Sequence, residues 1–116
     1  MSDEAQMERF ICHSSELQES GTGVSFELPW RGEAAPAFVV RYNGRVHAYL
    51  NRCAHVPVRL DWERGEFFDF SRLYLVCATH GALYAPDSGH CLGGRCNGKS
   101  LQALEVVERD GAVYLI

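Results

Sequence analysis

Two short segments hold the residues best suited to chemistry. Cys53-Ala54-His55 sets a thiol and an imidazole in one short stretch, and Cys77-Ala78-Thr79-His80 does so again, in the same order. Two thiolates and two imidazoles suit a [2Fe–2S] cluster in which two His replace two Cys on one of the irons. They are also a zinc set. Zinc knuckles, however, usually open with C-x₂₋₄-C, and C-x-H is unusual there. We therefore read Cys53, His55, Cys77 and His80 as the ligands of one [2Fe–2S] cluster per chain, and no residue as catalytic. A zinc-stabilised β domain with a binding role is the bland alternative.

The spacing suits this chemistry. In C-x-H and C-x-x-H, Cys and His come from one tight loop and can reach adjacent irons. Two such loops facing each other clamp the cluster. Twenty-one residues separate His55 from Cys77, room for a strand out and a strand back. Arg64-Gly65-Glu66 marks the turn, and residues 73–76 read as the strand that delivers the second loop. Gly81 follows His80, where a bulky side chain would hinder approach to the cluster. Replacing two thiolates by neutral imidazoles brings the oxidised centre from a net charge of about −2 to about zero. An electron is then added more easily, which is why His ligation raises the potential. The imidazoles also leave a second nitrogen free to titrate, so electron uptake can couple to protons.

The bulk numbers exclude several classes. The 116 residues suffice for one domain, and 47% hydrophobic with 22% charged residues is ordinary for a globular protein. A net charge of −4 argues against nucleic acid as a partner. No apolar run is long enough to span a membrane. The acidic start, Met1-Ser2-Asp3-Glu4, has neither signal-peptide character nor a twin-Arg pattern, so a cytoplasmic location is expected. Five cysteines, an odd number, favour metal ligation or free thiols over a disulfide framework. Cys12 reads as core packing. Cys91 and Cys96 flank Gly93-Gly94 and read as incidental, with a redox role as the lesser reading.

The elements that must position the ligands are strands. Asn43-Gly44 between residues 38–42 and 45–50 predicts a hairpin, and Asp110-Gly111 between 104–108 and 112–116 predicts another. Residues 9–12 and 24–28 are further strand candidates, and almost no helix is expected. Several short strands at this spacing predict an all-β antiparallel sandwich or barrel. Residues 51–100, rich in Gly, Cys, His and aromatics, interrupt the strand series. The expected organisation is one domain over 1–116. Its β base takes in about 1–50 and 101–116, and a cluster-binding subdomain of about 51–100 is inserted in it. His13, His47 and His90 are given no ligand role. The aromatics Tyr42, Tyr49, Trp62, Phe67, Phe68, Phe70, Tyr74 and Tyr114 read as packing, and residues 61–64 as a solvated loop tip. An electron path through Trp30, Tyr49 and Trp62 has no support in sequence.

With these residues in view, the sequence resembles the Rieske family from about Arg41 to the C-terminus. Cys53-Ala54-His55 matches its first motif and Cys77-Ala78-Thr79-His80-Gly81 its second. The resemblance implies a Rieske fold, with Cys53 and Cys77 on the inner iron and His55 and His80 on the outer, near-surface iron. It puts Val58 and Thr79 where respiratory members carry a bridging cysteine pair, so that bridge is impossible. Ala82 stands where those members have a Ser that donates to a bridging sulfide, which implies a lower potential. Tyr84 stands where they have a second hydroxyl donor, toward a Cys sulfur. Arg95 stands about where Pro is usual in the loop covering the cluster. The whole looks like the soluble Rieske ferredoxins of bacterial oxygenase systems. It implies a carrier between a flavin-dependent reductase and an oxygenase terminal component. The alternative is a Rieske small subunit of a larger redox enzyme, such as nitrite reductase.

Overall fold

Residues 37–40, Ala-Phe-Val-Val, carry no polar side chain to turn toward water, so a strand through them must be covered on both faces. The computed structural model describes residues 8–53, 58–61, 63–79, 81–94, 96 and 98–116. In it all four are fully buried, within β3 (Glu33–Tyr42). This strand pairs antiparallel with β2 (Val24–Trp30) on one side and β4 (Arg45–Leu50) on the other. β8 (Ala103–Leu104) completes that sheet beside β4. A second antiparallel sheet runs β1 (Arg9–His13), β10 (Ala112–Leu115), β9 (Val106–Arg109).

Both expected hairpins form. Asn43 and Gly44 take φ of 54° and 76°, and Asp110 and Gly111 take 52° and 77°. Two successive positive-φ residues make the turn whose twist matches the flanking strands. The single strand expected over 104–108 is two. Leu104 pairs with Ala48 in the first sheet, while Val106 pairs with Leu115 in the second. The chain changes sheets at Glu105, whose carbonyl accepts the Ile116 N–H at 3.0 Å. Among the described residues the helical element is one 3₁₀ turn, Ser14–Glu16, where Glu16 accepts the His13 N–H at 2.8 Å. None of their helices is long and apolar enough to cross a membrane.

Alternation along β3 divides the core. Val39 packs with Cys12, Leu17, Ala48 and Val113 between the two sheets. Phe38 and Val40 face the other way, with Tyr49, onto Leu60, Phe67, Leu75 and Tyr84. That second layer belongs to the chain between β4 and β8. It carries a third small sheet, β5 (Leu75–Val76), β6 (Leu83–Tyr84), β7 (Cys91–Gly93). Phe67 stacks on Phe38 with ring centroids 3.9 Å apart, and the Tyr49 hydroxyl donates to the Pro86 carbonyl at 2.8 Å. The strand expected at 73–76 is only its second half, because residues 69–74 form a turn. There the Asp69 N–H donates to the Tyr74 carbonyl, and Asp69 also accepts from the Ser71 hydroxyl. That turn carries Phe70 to its outer corner, fully exposed, so Phe70 is not the packing residue expected. Phe67 and Phe68 are buried as expected, while Tyr42, Tyr74 and Tyr114 are half-buried. Trp62 lies outside the described residues.

One ion pair joins the base together. Arg41 donates to Glu108 in bidentate fashion, at 2.6 and 3.1 Å, and also to the Leu17 carbonyl at 3.0 Å. The guanidinium holds the Glu108 carboxyl below the usual carboxylate range. A lowered folded-state pKa stabilises above the unfolded value and is lost as pH falls through the folded one. Glu108→Gln should therefore cost about 1–2 kcal/mol at neutral pH, measured by urea unfolding. The gap to wild type should close in the acid range, below about pH 4. An equal gap across that range would mean the charge contributes nothing.

Candidate metal centre

The first cysteine is delivered where β4 ends. The Asn51 N–H donates to the Pro36 carbonyl at 2.8 Å, so the chain leaves the sheet under control of β3. The Cys53 N–H then donates to the Val58 carbonyl at 2.8 Å, closing a loop over 53–58. Asn51, buried at 2% exposure, braces that loop from beneath. Its side-chain oxygen accepts the Leu60 N–H at 2.8 Å, and its amide donates to Asp61 at 2.9 Å. Asp61 in turn accepts the Gly65 N–H at 3.0 Å. Asp61 is thus part of the scaffold and not of a solvated tip. A buried amide must find partners or carry a desolvation cost, and here each side-chain end has one.

The second cysteine follows β5 directly. The Cys77 N–H donates to the Ala82 carbonyl at 2.9 Å, and the Gly81 N–H donates to the Cys77 carbonyl at 2.8 Å. These bonds close a second loop over 77–82. Gly81 lies at φ 73°, and a Cβ added there would meet no protein atom within 4 Å. The need for glycine at 81 is thus one of backbone conformation rather than of crowding by the protein. The two loops are joined by the Ala78 N–H, which donates to the Leu60 carbonyl at 3.0 Å.

Cys53 and Cys77 are both buried and belong to one core cluster with Leu60, Ala82 and Tyr84. Tyr84 is fully buried, and its hydroxyl lies 3.5 Å from the Cys53 sulfur. His55 and His80 lie outside the described residues, and so does Arg95. By sequence each histidine falls within one of the two closed loops. Cysteine binds a metal as the thiolate, and two thiolates amid apolar side chains would need a compensating cation. An iron cluster supplies it, so the donor set and its setting fit a [2Fe–2S] group. Cys12 is also buried, but between the two base sheets, where burial pushes its thiol up to about 11. It is core packing, as expected.

Sequence reasoning missed two features here. Asn51 and Asp61 form a brace that no residue pattern announces. Cys91 and Cys96 are joined in a disulfide, contrary to the expectation of unbridged thiols. The Gly93-Gly94 turn between them brings their Cα atoms to 5.8 Å, within the usual disulfide range.

The same strand arrangement occurs in solved structures. The ferredoxin of carbazole 1,9a-dioxygenase from Nocardioides aromaticivorans IC177 matches with a TM-score of 0.72 and 21% identity, covering 93% of this chain and 95% of that one. The complex of reduced oxygenase and oxidised ferredoxin in carbazole 1,9a-dioxygenase contains a chain that matches with a TM-score of 0.71 and 22% identity. Coverage is 95% of this chain and 93% of that chain. The ferredoxin of Sphingomonas yanoikuyae B1 matches with a TM-score of 0.67 and 18% identity, covering 91% and 94%. These likenesses establish the fold. None of the curated proteins matches the chain significantly. The family model of the Rieske [2Fe-2S] domain matches residues 8–108, which takes in both closed loops, the whole sheet of β2, β3, β4 and β8, and the buried cysteines. The chain belongs to the Rieske [2Fe-2S] domain family.

Proposed function

We propose that this protein is a one-electron carrier. In this reading Cys53, His55, Cys77 and His80 hold the [2Fe–2S] cluster. An electron arrives from a flavin-dependent reductase and leaves to the terminal component of an oxygenase. One observation carries the reading: two buried cysteines stand on two main-chain-closed loops tied to each other, in a chain of the Rieske family. The fold shared with oxygenase ferredoxins, over nearly the whole of both chains, supports the choice of partner. We also propose the division into a β base of about 1–50 and 101–116 and a cluster-binding unit of about 51–100. The end of β4 at Leu50 and the return at β8 support it.

When bound, the cluster supplies a site that takes up and releases one electron at a potential raised by its neutral ligands. The protein's part is to hold that site still. The paired loop closures and the Asn51–Asp61 brace fix the positions of the two sulfurs. Little then needs to move when charge changes, which favours fast transfer. With Cys53 bound as a thiolate its sulfur can only accept, so the Tyr84 hydroxyl 3.5 Å away would donate to it and withdraw charge, which favours the reduced form.

Iron and acid-labile sulfide should each come to about two per chain, with a low-temperature EPR signal after reduction. A colourless protein with a single zinc would end this reading. His55→Cys or His80→Cys, where it assembles, should lower the potential toward the all-cysteine range, and an unchanged value would remove that residue from the ligand set. Tyr84→Phe should lower the midpoint by about 20–60 mV, the one-electron equivalent of a hydrogen bond of about 0.5–1.5 kcal/mol. Voltammetry of the two proteins at one pH decides it.

A further inference from the structure

The Cys91–Cys96 disulfide lies beside the second ligand loop. Cys91 begins β7, which pairs with β6, and Cys96 stands just beyond the end of that strand. Between them Gly94, at φ 87°, rests on the ligand loop itself. A Cβ at Gly94 would come 2.9 Å from the Ala82 Cα and 3.4 Å from the Gly81 carbonyl. Gly94, within the ring closed by this bond, therefore lies against Gly81 and Ala82, the residues that follow His80.

The bond is poorly suited to holding the fold. It closes a separation of only five residues, so it removes less unfolded-chain entropy than a long-range cross-link would. It joins neither base sheet to the other. The two sulfurs also differ in access, Cys91 being partly exposed and Cys96 fully buried. The setting accommodates the reduced form as well. The Cys96 sulfur lies 3.2 Å from the Gly93 carbonyl oxygen and 3.8 Å from that of Leu83, and the Cys91 sulfur lies 3.9 Å from that of Gly93. A thiol at either position finds an acceptor in place.

We propose that Cys91 and Cys96 form a reversible dithiol–disulfide clasp, a redox-modification site that pins the 91–96 loop over the second ligand loop. Its reductant is a dithiol, small or protein-borne. One thiolate of the reductant attacks the accessible Cys91 sulfur and the Cys91–Cys96 bond breaks. Cys96 leaves as a thiolate and takes up a proton. The second reductant thiolate then displaces Cys91, which is protonated in turn. The protein gains two electrons and two protons, and the reductant departs as its own disulfide. Oxidised glutathione or another disulfide reverses the step through a mixed disulfide. Opening the clasp frees the loop from Gly81 and Ala82 and exposes the edge of the cluster site. This last consequence rests on the function proposed above.

The test uses the iron-loaded protein purified in air. Iodoacetamide should leave Cys91 and Cys96 unmodified, modify both after dithiothreitol, and again spare both after reoxidation with oxidised glutathione, as read by peptide mass. Amide exchange in the 92–98 segment should rise roughly 40-fold in the dithiol form, the loop-entropy value for a ring this short. Cys91→Ser should show the same rise without any reductant. Iron release to a ferrous chelator should quicken in the dithiol form and slow again on reoxidation. Alkylation of both cysteines without reductant, failure to reoxidise, or equal exchange in the two forms would each overturn the clasp. The thiol and exchange readings do not depend on the cluster. A protein lacking iron would therefore defeat the proposed function while the clasp was still judged on its own.

Discussion

Cys53 and Cys77, from distant parts of the chain, are buried in one apolar core cluster, and two main-chain-closed loops tied to each other bring them there. A thiolate in such a place is costly unless a cation shares its charge. The site must therefore be rigid enough to present both donors at once and dry enough for that charge to matter. Rigidity comes from main-chain hydrogen bonds. Each of the two loops is closed by its own cysteine N–H, and Ala78 ties the second to Leu60, just after the first. Such bonds survive side-chain variation, since every residue but proline can make them.

The base supports this arrangement by being solid on both sides of one strand. β3 gives Val39 to the packing between the base sheets and Phe38 and Val40 to the layer under the site. A shift of one residue in its register would exchange the two sets, so the pairing with β2 and β4 is strongly specified. The stacked rings of Phe38 and Phe67 and the Tyr49 hydroxyl on Pro86 carry that register into the inserted segment. The same layer holds Tyr84 at the Cys53 sulfur, so the packing of the base and the surroundings of that sulfur share one set of side chains.

The third loop is built differently from the other two. Its closure is covalent, through Cys91 and Cys96, and its contact with the ligand loop is made by a glycine backbone. A main-chain bond opens and closes with thermal motion, whereas a disulfide changes only with a reaction partner. The closure of this loop thus rests on a covalent bond, whereas the other two rest on main-chain hydrogen bonds.

What could be read from the residues follows from locality. The hairpins at Asn43-Gly44 and Asp110-Gly111 depend on two adjacent residues that tolerate positive φ, and both form. The buried central strand is visible in four consecutive apolar residues. The paired Cys and His motifs point to the family because ligand spacing is itself a local property, and the family match takes in both. Features that depend on contacts between distant segments were not legible. Asn51 and Asp61 look like ordinary polar loop residues until the fold buries one and turns the other inward. Phe70 looks like core until the turn at Asp69 sends it to the surface. The change of sheet at Glu105 divides what reads as one strand, since each half finds a different neighbour. Cys91 and Cys96 look unrelated until the glycine turn folds one back on the other. The sequence by itself determined the two hairpins, the donor types and most of the strand-forming segments, because each is set by neighbours along the chain. Only the tertiary structure decided which polar groups are buried with partners and which two thiols meet, because both depend on residues brought together from distant segments.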